Sequence, residues 1–175
     1  MTLPEFNQQI VPLKHKLYRF ACRITGNGHE AEDVVQEVME KIWAKRDDQQ
    51  ASAVQNWEAW SMTLTRNLSI DKTRSKYRQS VGPLPEKFEL KGSARTPQQE
   101  LETSETFSTV KKYMDELPEK QRAVMHLRDI EEQSYEEIGQ ILNISVEDVK
   151  VSLHRARKSV REKMLAAQIS TSNHS

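Results

Sequence analysis

The chain has 175 residues, with 26 basic and 26 acidic side chains and a single cysteine. That length suits one domain or two small ones, and the zero net charge excludes a global attraction to nucleic acid. A lone Cys22 excludes an internal disulfide or a thiolate metal cage, and no apolar run approaches a membrane span or a signal-peptide core.

The chain is therefore expected to be soluble, cytoplasmic and free of membrane insertion. Few glycines and 30% charged residues favour an all-helical protein. The neutrality is a cancellation of blocks. Residues 29–48 carry a net −4, residues 49–79 a net +3, residues 106–149 a net −5 and residues 150–175 a net +5. Alternating blocks suit a protein that meets a polyanion on one side and another protein on a different side.

In chain order, Ile10, Leu13, Leu17, Phe20, Ala21 and Ile24 recur at spacings of three and four, the mark of an amphipathic helix over about Phe6–Ile24. Pro12 inside it either kinks the helix or marks its true start. Cys22 reads as a small core residue. Gly26-Asn27-Gly28 closes the segment, and a second helix starts near His29. Its apolar stripe is Ala31, Val34, Val35, Val38 and Ile42, with Trp43 optional, and acids cover the other faces. Within it D-V-V-Q-E places Asp33, Gln36 and Glu37 on one side. A solvated face is the plainer account of those three.

Residues 45–55 read mostly as a loop. A third helix is expected over about Asn56–Arg78, with Trp57, Trp60, Leu64 and Leu68 apolar and a basic last section around Tyr77. Aromatic rings beside a cationic groove are what unpaired bases need, but plain core packing explains Trp57 and Trp60 equally well. Residues 80–97, rich in proline and glycine, form the expected linker. A helix through Leu101, Phe107, Val110 and Met114 should end before Pro118. L-P-E-K-Q-R then opens another, with Ala123, Val124, Leu127 and Ile130 as its face.

Ser134 to Met164 holds two helix starts in succession. Ser134 with Glu137, and Ser145 with Asp148, fit the capping-box pattern. Asn143 between them suits a left-handed turn residue, and Gly139 permits a close crossing. Ile138, Ile141, Leu142, Ile144, Val149 and Leu153 supply a shared apolar face. This predicts a helix-turn-helix whose second helix carries Lys150, His154, Arg155, Arg157, Lys158, Arg161 and Lys163. An ordinary helical corner would share the caps; the basic run is what favours DNA. Residues 169–175 are expected to be a disordered tail.

Catalytic readings fail one by one. G-N-G-H-E-A at 26–31 fits a dinucleotide fingerprint, but no strand is predicted on either side of it. None of the five histidines follows a glutamate by three residues, so a di-iron bundle is excluded. No catalytic residue, metal site or cofactor is expected.

Taken together and in order, these pieces resemble the small two-domain bacterial sigma factors of the extracytoplasmic-function (ECF) class, over about Phe6 to Met164. A-E-D-V-V-Q-E-V resembles the acidic part of region 2. W-E-A-W-S-M-T-L-T-R-N-L-S-I-D-K-T-R resembles its promoter-melting helix. L-P-E-K-Q-R-A-V-M-H-L-R with the double-capped stretch resembles region 4. The resemblance implies two all-α domains joined by a linker, with residues 1–79 as region 2, 80–97 as linker and 98–168 as region 4.

It implies that Asp33, Gln36 and Glu37 contact core RNA polymerase. The loop at 47–56 and the helix carrying Trp57, Trp60, Asn67, Asp71, Arg74 and Arg78 would capture the −10 element of promoter DNA. Lys150, Val151, His154 and Arg155 would read the −35 element, with Arg157 and Lys158 on phosphates. An anti-sigma factor is a further implied partner. K-V-S at 150–152, Ser61 and Met62 depart from the family's usual residues. The competing readings are a stand-alone helix-turn-helix regulator and a helical protein–protein adaptor.

Overall fold

Pro12 decides how the chain begins. In the computed structural model, which describes residues 1–49, 51–79 and 105–172, the first expected helix is two. α1 (Leu3–Gln9) starts at a complete capping box between Thr2 and Glu5. Proline has no N–H to continue the ladder. It sits instead in a tight 3₁₀ turn, Val11–Leu13, after which α2 (Lys14–Thr25) begins. Gly26 ends α2 at φ 68°, a left-handed cap that a side chain would strain.

Asn27 then accepts the N–H groups of His29 and Glu30, so α3 (Gly28–Ala44) starts one residue before the expected His29. After a turn and a short 3₁₀ segment, Ala51–Ala53, Asn56 caps α4 (Trp57–Gln79) by accepting Ala59 N–H at 3.0 Å. The expected linker at 80–97, and Leu101 of the following helix, lie outside the described residues.

The second set of helices opens with α5 (Glu105–Asp115) and α6 (Glu119–Met125), the latter entered from Pro118. α6 runs into a π-helical segment, His126–Ile130, closed by Glu131 N–H on His126 O at 3.1 Å. Glu132 follows at φ 57°, an uncommon conformation for a side-chain-bearing residue. α7 (Tyr135–Leu142) has the full capping box at Ser134 and Glu137, and Asn143 ends it at φ 56°. α8 (Val146–Ser172) completes the described chain. It continues through Ile169–Ser172, into the residues expected to form a disordered tail. No glycine or proline stops it there. No strand occurs among the described residues.

α2 lies centrally. It packs on α3 and α4 on one side and on α6 and the π segment on the other. Its Leu17, Phe20, Ala21 and Ile24 are buried with Val34, Val38, Ile42 and Met62. Met114, Val124, Leu127, Ile138, Val149 and Leu153 continue the same core into the second set. Burying each large side chain contributes roughly 1.5–3 kcal/mol. α4 packs against α2, α3 and α7. Small or flexible residues let it do so: Ser61, Met62, Thr65 and Ser69 are all buried. Ser61 and Thr65 satisfy their hydroxyls on the carbonyls of Trp57 and Ser61. Cys22 is half-buried, and burial pushes its thiol pKa up.

Candidate nucleic-acid interfaces

The helix-turn-helix follows from local chemistry. Gly139 lies where an added Cβ would meet Ile144 O at 2.9 Å, so the close contact is to the turn's backbone. Ile144 N–H bonds Gly139 O at 3.0 Å, tying the turn to α7. The second cap differs from the expected box. Asp148 N–H donates to Ser145 Oγ at 3.1 Å, but the Asp148 carboxylate does not return to Ser145. It accepts from Lys120 and from Ser152, both at 3.1 Å. Those contacts, led by Lys120, lower the Asp148 pKa.

Ser152 is thereby turned inward and buried. The outer face of α8 is then Glu147, Lys150, Val151, His154, Arg155 and Lys158, at helical spacings opposite buried Val149, Leu153, Ala156 and Val160. His154, Arg155 and Lys158 make no hydrogen bond or ion pair among the described residues. Lys150 lies 4.0 Å from Glu147 and 5.9 Å from the centroid of Tyr135, whose ring also carries the Arg128 guanidinium at 4.5 Å. Arg157 is placed otherwise. Its guanidinium grips Asp129 with two bonds, one of them Nε to Oδ2 at 3.1 Å, and so faces the π segment. Lys163 likewise pairs with Glu116 at 3.0 Å.

On α4, Asn67, Asp71 and Arg74 are exposed at i, i+4 and i+7, opposite the buried Met62, Thr65 and Ser69. Trp57 and Trp60 meet edge to face, 5.5 Å between centroids, and are each half-buried against the core. The Arg78 side chain lies outside the described residues. Lys76 pairs with Glu30 at 3.1 Å and fastens the end of α4 to α3. On α3 itself, Asp33 and Gln36 are exposed and Glu37 is partly so, over a buried side of Val34, Val35, Val38 and Met39. Gln36 reaches Glu40 at 3.4 Å and Glu37 faces Lys41 at 3.9 Å.

Two further features appear beyond the residues expected from the sequence. One is a cleft of about 490 Å³ between α1 and the loop before α4, lined by Glu5, Gln9, Arg46, Asp47, Asp48 and Trp57 among others. Arg46 lies 4.0 Å over the Trp43 ring, which in turn meets Phe6 edge-on. The other is a charged face between the two helix sets. Arg19 forks Glu131 at 2.7 and 2.9 Å. Arg23 holds Asp115 at 2.7 Å and donates its Nε–H to His126 Nδ1 at 3.2 Å. Lys16 and Gln133 share Glu58, and Asn56 reaches Glu137 at 3.1 Å. The ring of His126 stacks on Phe20.

His126 is fully buried, and its Nδ1 lone pair is taken by Arg23, so the ring is the neutral Nε2–H tautomer. Nε2 lies 3.4 Å from Glu131 without hydrogen-bond alignment. Burial, aided by the Arg23 charge, pushes the His126 pKa down to about 4 against an opposing pull from Glu131. Burial alone would raise Glu131; His126 and the Arg19 fork outweigh it and hold the carboxyl at about 2. A periodic signal existed in Lys16, Arg19 and Arg23, three basic residues on one side of α2. Their partners lie 42, 112 and 92 residues away, beyond any local pattern.

Residues 10–79 match the family Sigma-70 region 2, and residues 108–160 match Sigma-70, region 4. The chain is 30% identical over 161 residues to the ECF RNA polymerase sigma factor SigE of Mycolicibacterium smegmatis, covering 91% of this chain and 62% of that protein. It is 30% identical over 159 residues to the ECF RNA polymerase sigma factor SigW of Bacillus subtilis, covering 86% of this chain and 84% of that one. Among solved structures it is similar to the sigma factor RpoE co-crystallised with the anti-sigma factor NepR from Bartonella quintana. That likeness has a TM-score of 0.75 at 28% identity, over 91% of this chain and 96% of the other. CnrH, in complex with the cytosolic domain of CnrY, shares the fold at a TM-score of 0.68 and 20% identity, over 94% and 90%.

Proposed function

We infer the function from one premise: the chain belongs to the ECF class of RNA polymerase sigma factors. It serves as the subunit that directs core RNA polymerase to particular promoters and starts transcription there. The observation that carries this is the order of three exposed faces on one chain. An acidic face on α3 comes first, then Asn67, Asp71 and Arg74 on α4, then a basic outer face on a helix-turn-helix. A stand-alone regulator has no use for the first, and an adaptor has none for the last.

In this reading residues 1–79 form the polymerase-binding and −10 domain and residues 98–168 the −35 domain, joined through 80–97. Asp33, Gln36 and Glu37 meet the polymerase. Asn67, Asp71, Arg74 and Arg78, with the edges of Trp57 and Trp60, meet the opened −10 strand. Lys150, Val151, His154 and Arg155 enter the major groove, and Lys158 adds a phosphate contact. Arg157 reaches phosphate only by leaving Asp129. The polymerase supplies the chemistry and this subunit supplies the choice of site. It works in the cytoplasm, and no helix among the described residues is long and apolar enough to cross a membrane. The likeness to RpoE bound by NepR supports an anti-sigma factor as a further partner.

Distance bears on the mechanism. Elements about 25 base pairs apart are separated by roughly 85 Å along straight DNA. A folded chain of this length is only about 40 Å across. Engaging both elements therefore requires the second helix set to release α2. The 18 linker residues 80–97 span up to roughly 60 Å when extended, which with the width of the two domains is enough.

The test is transcription by core polymerase with and without this chain, followed by mapping of start sites. Starts that appear only with the chain, and share two spaced upstream motifs, are expected. An active core that gains no new start from a broad promoter pool overturns the assignment.

A further inference from the structure

The outer face of α8 carries one residue that does not belong on a phosphate-binding surface. Val151 is 44% exposed, the only large apolar side chain among Glu147, Lys150, His154, Arg155 and Lys158. Its neighbours explain why it stands alone. Ser152 is drawn inward by Asp148, which also takes Lys120, so the polar residue of K-V-S is buried and structural. Val149 and Leu153 are buried in the core. Lys150 leans towards Glu147 and Tyr135. What remains outward in the second turn of the helix is a β-branched, stiff, apolar group flanked by cations.

An exposed valine has no partner in water and none on a phosphate. In a major groove one base feature suits it, the C5-methyl group of thymine, which is the groove's apolar element. The position within the helix agrees, because residues in the first two turns of such a helix are those that reach base edges. Residues further along, such as Lys158 and Arg161, fall back on the backbone.

We propose that Val151 reads the C5-methyl of a thymine in the −35 element. This rests on the −35 reading of α8 given above. It assigns to K-V-S a base preference: position 150 gives charge, position 151 selects thymine, and position 152 serves the fold.

The experiment uses polymerase holoenzyme carrying this chain, and duplexes bearing the −35 element recovered by start mapping. Each thymine of the element, on both strands, is replaced singly by deoxyuridine, which deletes one methyl and keeps base pairing. Burying one methyl corresponds to about fourfold in affinity. A loss of roughly that size is expected at one thymine. In Val151→Ala holoenzyme the thymine–deoxyuridine difference at that position should vanish, while sensitivity to base-pair changes elsewhere persists. Val151→Thr keeps the shape and one methyl, and should retain part of the difference. The side chain is exposed, so neither variant is expected to unfold the domain.

Selective −35 binding with no thymine sensitive to methyl removal overturns the proposal and leaves the −35 reading standing. A sensitive thymine whose effect survives in Val151→Ala overturns the assignment to Val151. Loss of all −35 selectivity from the wild-type holoenzyme overturns the −35 reading and the proposal with it.

Discussion

The outer face of α8 and the inner face of α2 are both helix surfaces rich in cations, and they treat those charges in opposite ways. On α8, His154, Arg155 and Lys158 point to water with no ion pair among the described residues. A partner that brings phosphate finds them free. On α2, the half-exposed Arg19 and the buried Arg23 are held by partners within the molecule, Glu131, Asp115 and His126. The first surface meets DNA at little cost to the fold. The second helps to define how the two helix sets dock, because the buried Arg23 and Glu131 tolerate only a geometry that pairs them. The same residue type thus serves recognition where it is unpaired and registration where it is paired with a group of the other helix set.

Breaking the α2 face is expected to have the largest effect. Arg19→Ala would leave the Glu131 side chain, 0% exposed, without its fork. Removing one partner of a fully buried pair typically costs about 3 kcal/mol or more. The cost here is smaller, because the Arg19 side chain is 46% exposed and its charge is partly screened by water. We expect about 2 kcal/mol from urea unfolding at pH 7. Arg19→Lys should recover part of it, since it restores the charge without the two parallel bonds. A loss under about 0.5 kcal/mol in Arg19→Ala would mean that the docking does not depend on this pair. Arg155→Ala on α8 is the matched control, and its stability should be unchanged.

Acid sharpens the contrast. His126 has a folded pKa of about 4 against 6.5 in the unfolded chain, so between those values the unfolded state binds a proton that the folded state refuses. Stability should therefore fall as pH drops from about 6.5 to 4. Glu131, depressed to about 2 from 4.5, contributes stability that is complete above pH 4.5 and is lost as pH falls through 2. Urea midpoints measured from pH 7.5 to 4 test the upper window. His126→Gln keeps an acceptor for Arg23 and should flatten the slope there. An unchanged slope in that variant would remove His126 as its source.

These two surfaces also differ in how far the sequence discloses them. Helix-turn-helix signals are local: Ser134 with Glu137 are three residues apart, and Asn143 and Gly139 act within one turn of the chain. Each appears where the spacing placed it. Ser145 and Asp148 have the same spacing, yet only half the box forms. Lys120, 28 residues away, competes for the carboxylate. Pro12 left two readings open, and its missing N–H resolves them in favour of a break between α1 and α2. The π segment at His126–Ile130 has no hydrophobic period of its own to announce it. Its wider turn brings His126 and Glu131 to one side, towards α2. Exposure of Asp33 and Gln36 was legible from the apolar stripe opposite them. On α4 the expected stripe of Trp57, Trp60, Leu64 and Leu68 is only half-buried, and the buried side is Ser61, Met62, Thr65 and Ser69. The exposure of Asn67, Asp71 and Arg74 opposite that side was therefore not legible. The inward turn of Ser152 and the capture of Arg157 by Asp129 were not, because both depend on tertiary partners.

The smallest effect separates two glycines, and it asks whether the helix-turn-helix is as rigid as its local signals suggest. Replacing a helical glycine by alanine ordinarily stabilises by up to about 1 kcal/mol. At Gly139 the new Cβ would lie 2.9 Å from the Ile144 carbonyl oxygen, which is backbone in a three-residue turn and has little room to give. Gly139→Ala should therefore destabilise by about 1–2 kcal/mol, as overpacking does. At Gly28 the new Cβ would meet only the Tyr18 hydroxyl, at 3.0 Å, on the far end of a side chain that can swing aside. Gly28→Ala should stay within about 0.5 kcal/mol of wild type. Chemical denaturation of both variants side by side decides the matter. If Gly139→Ala is as well tolerated as Gly28→Ala, the turn can shift, and the angle at which α8 meets DNA is set by the partner and not by α7. If it is not, that angle is fixed before DNA arrives, and the position of Val151 on the outer face is fixed with it.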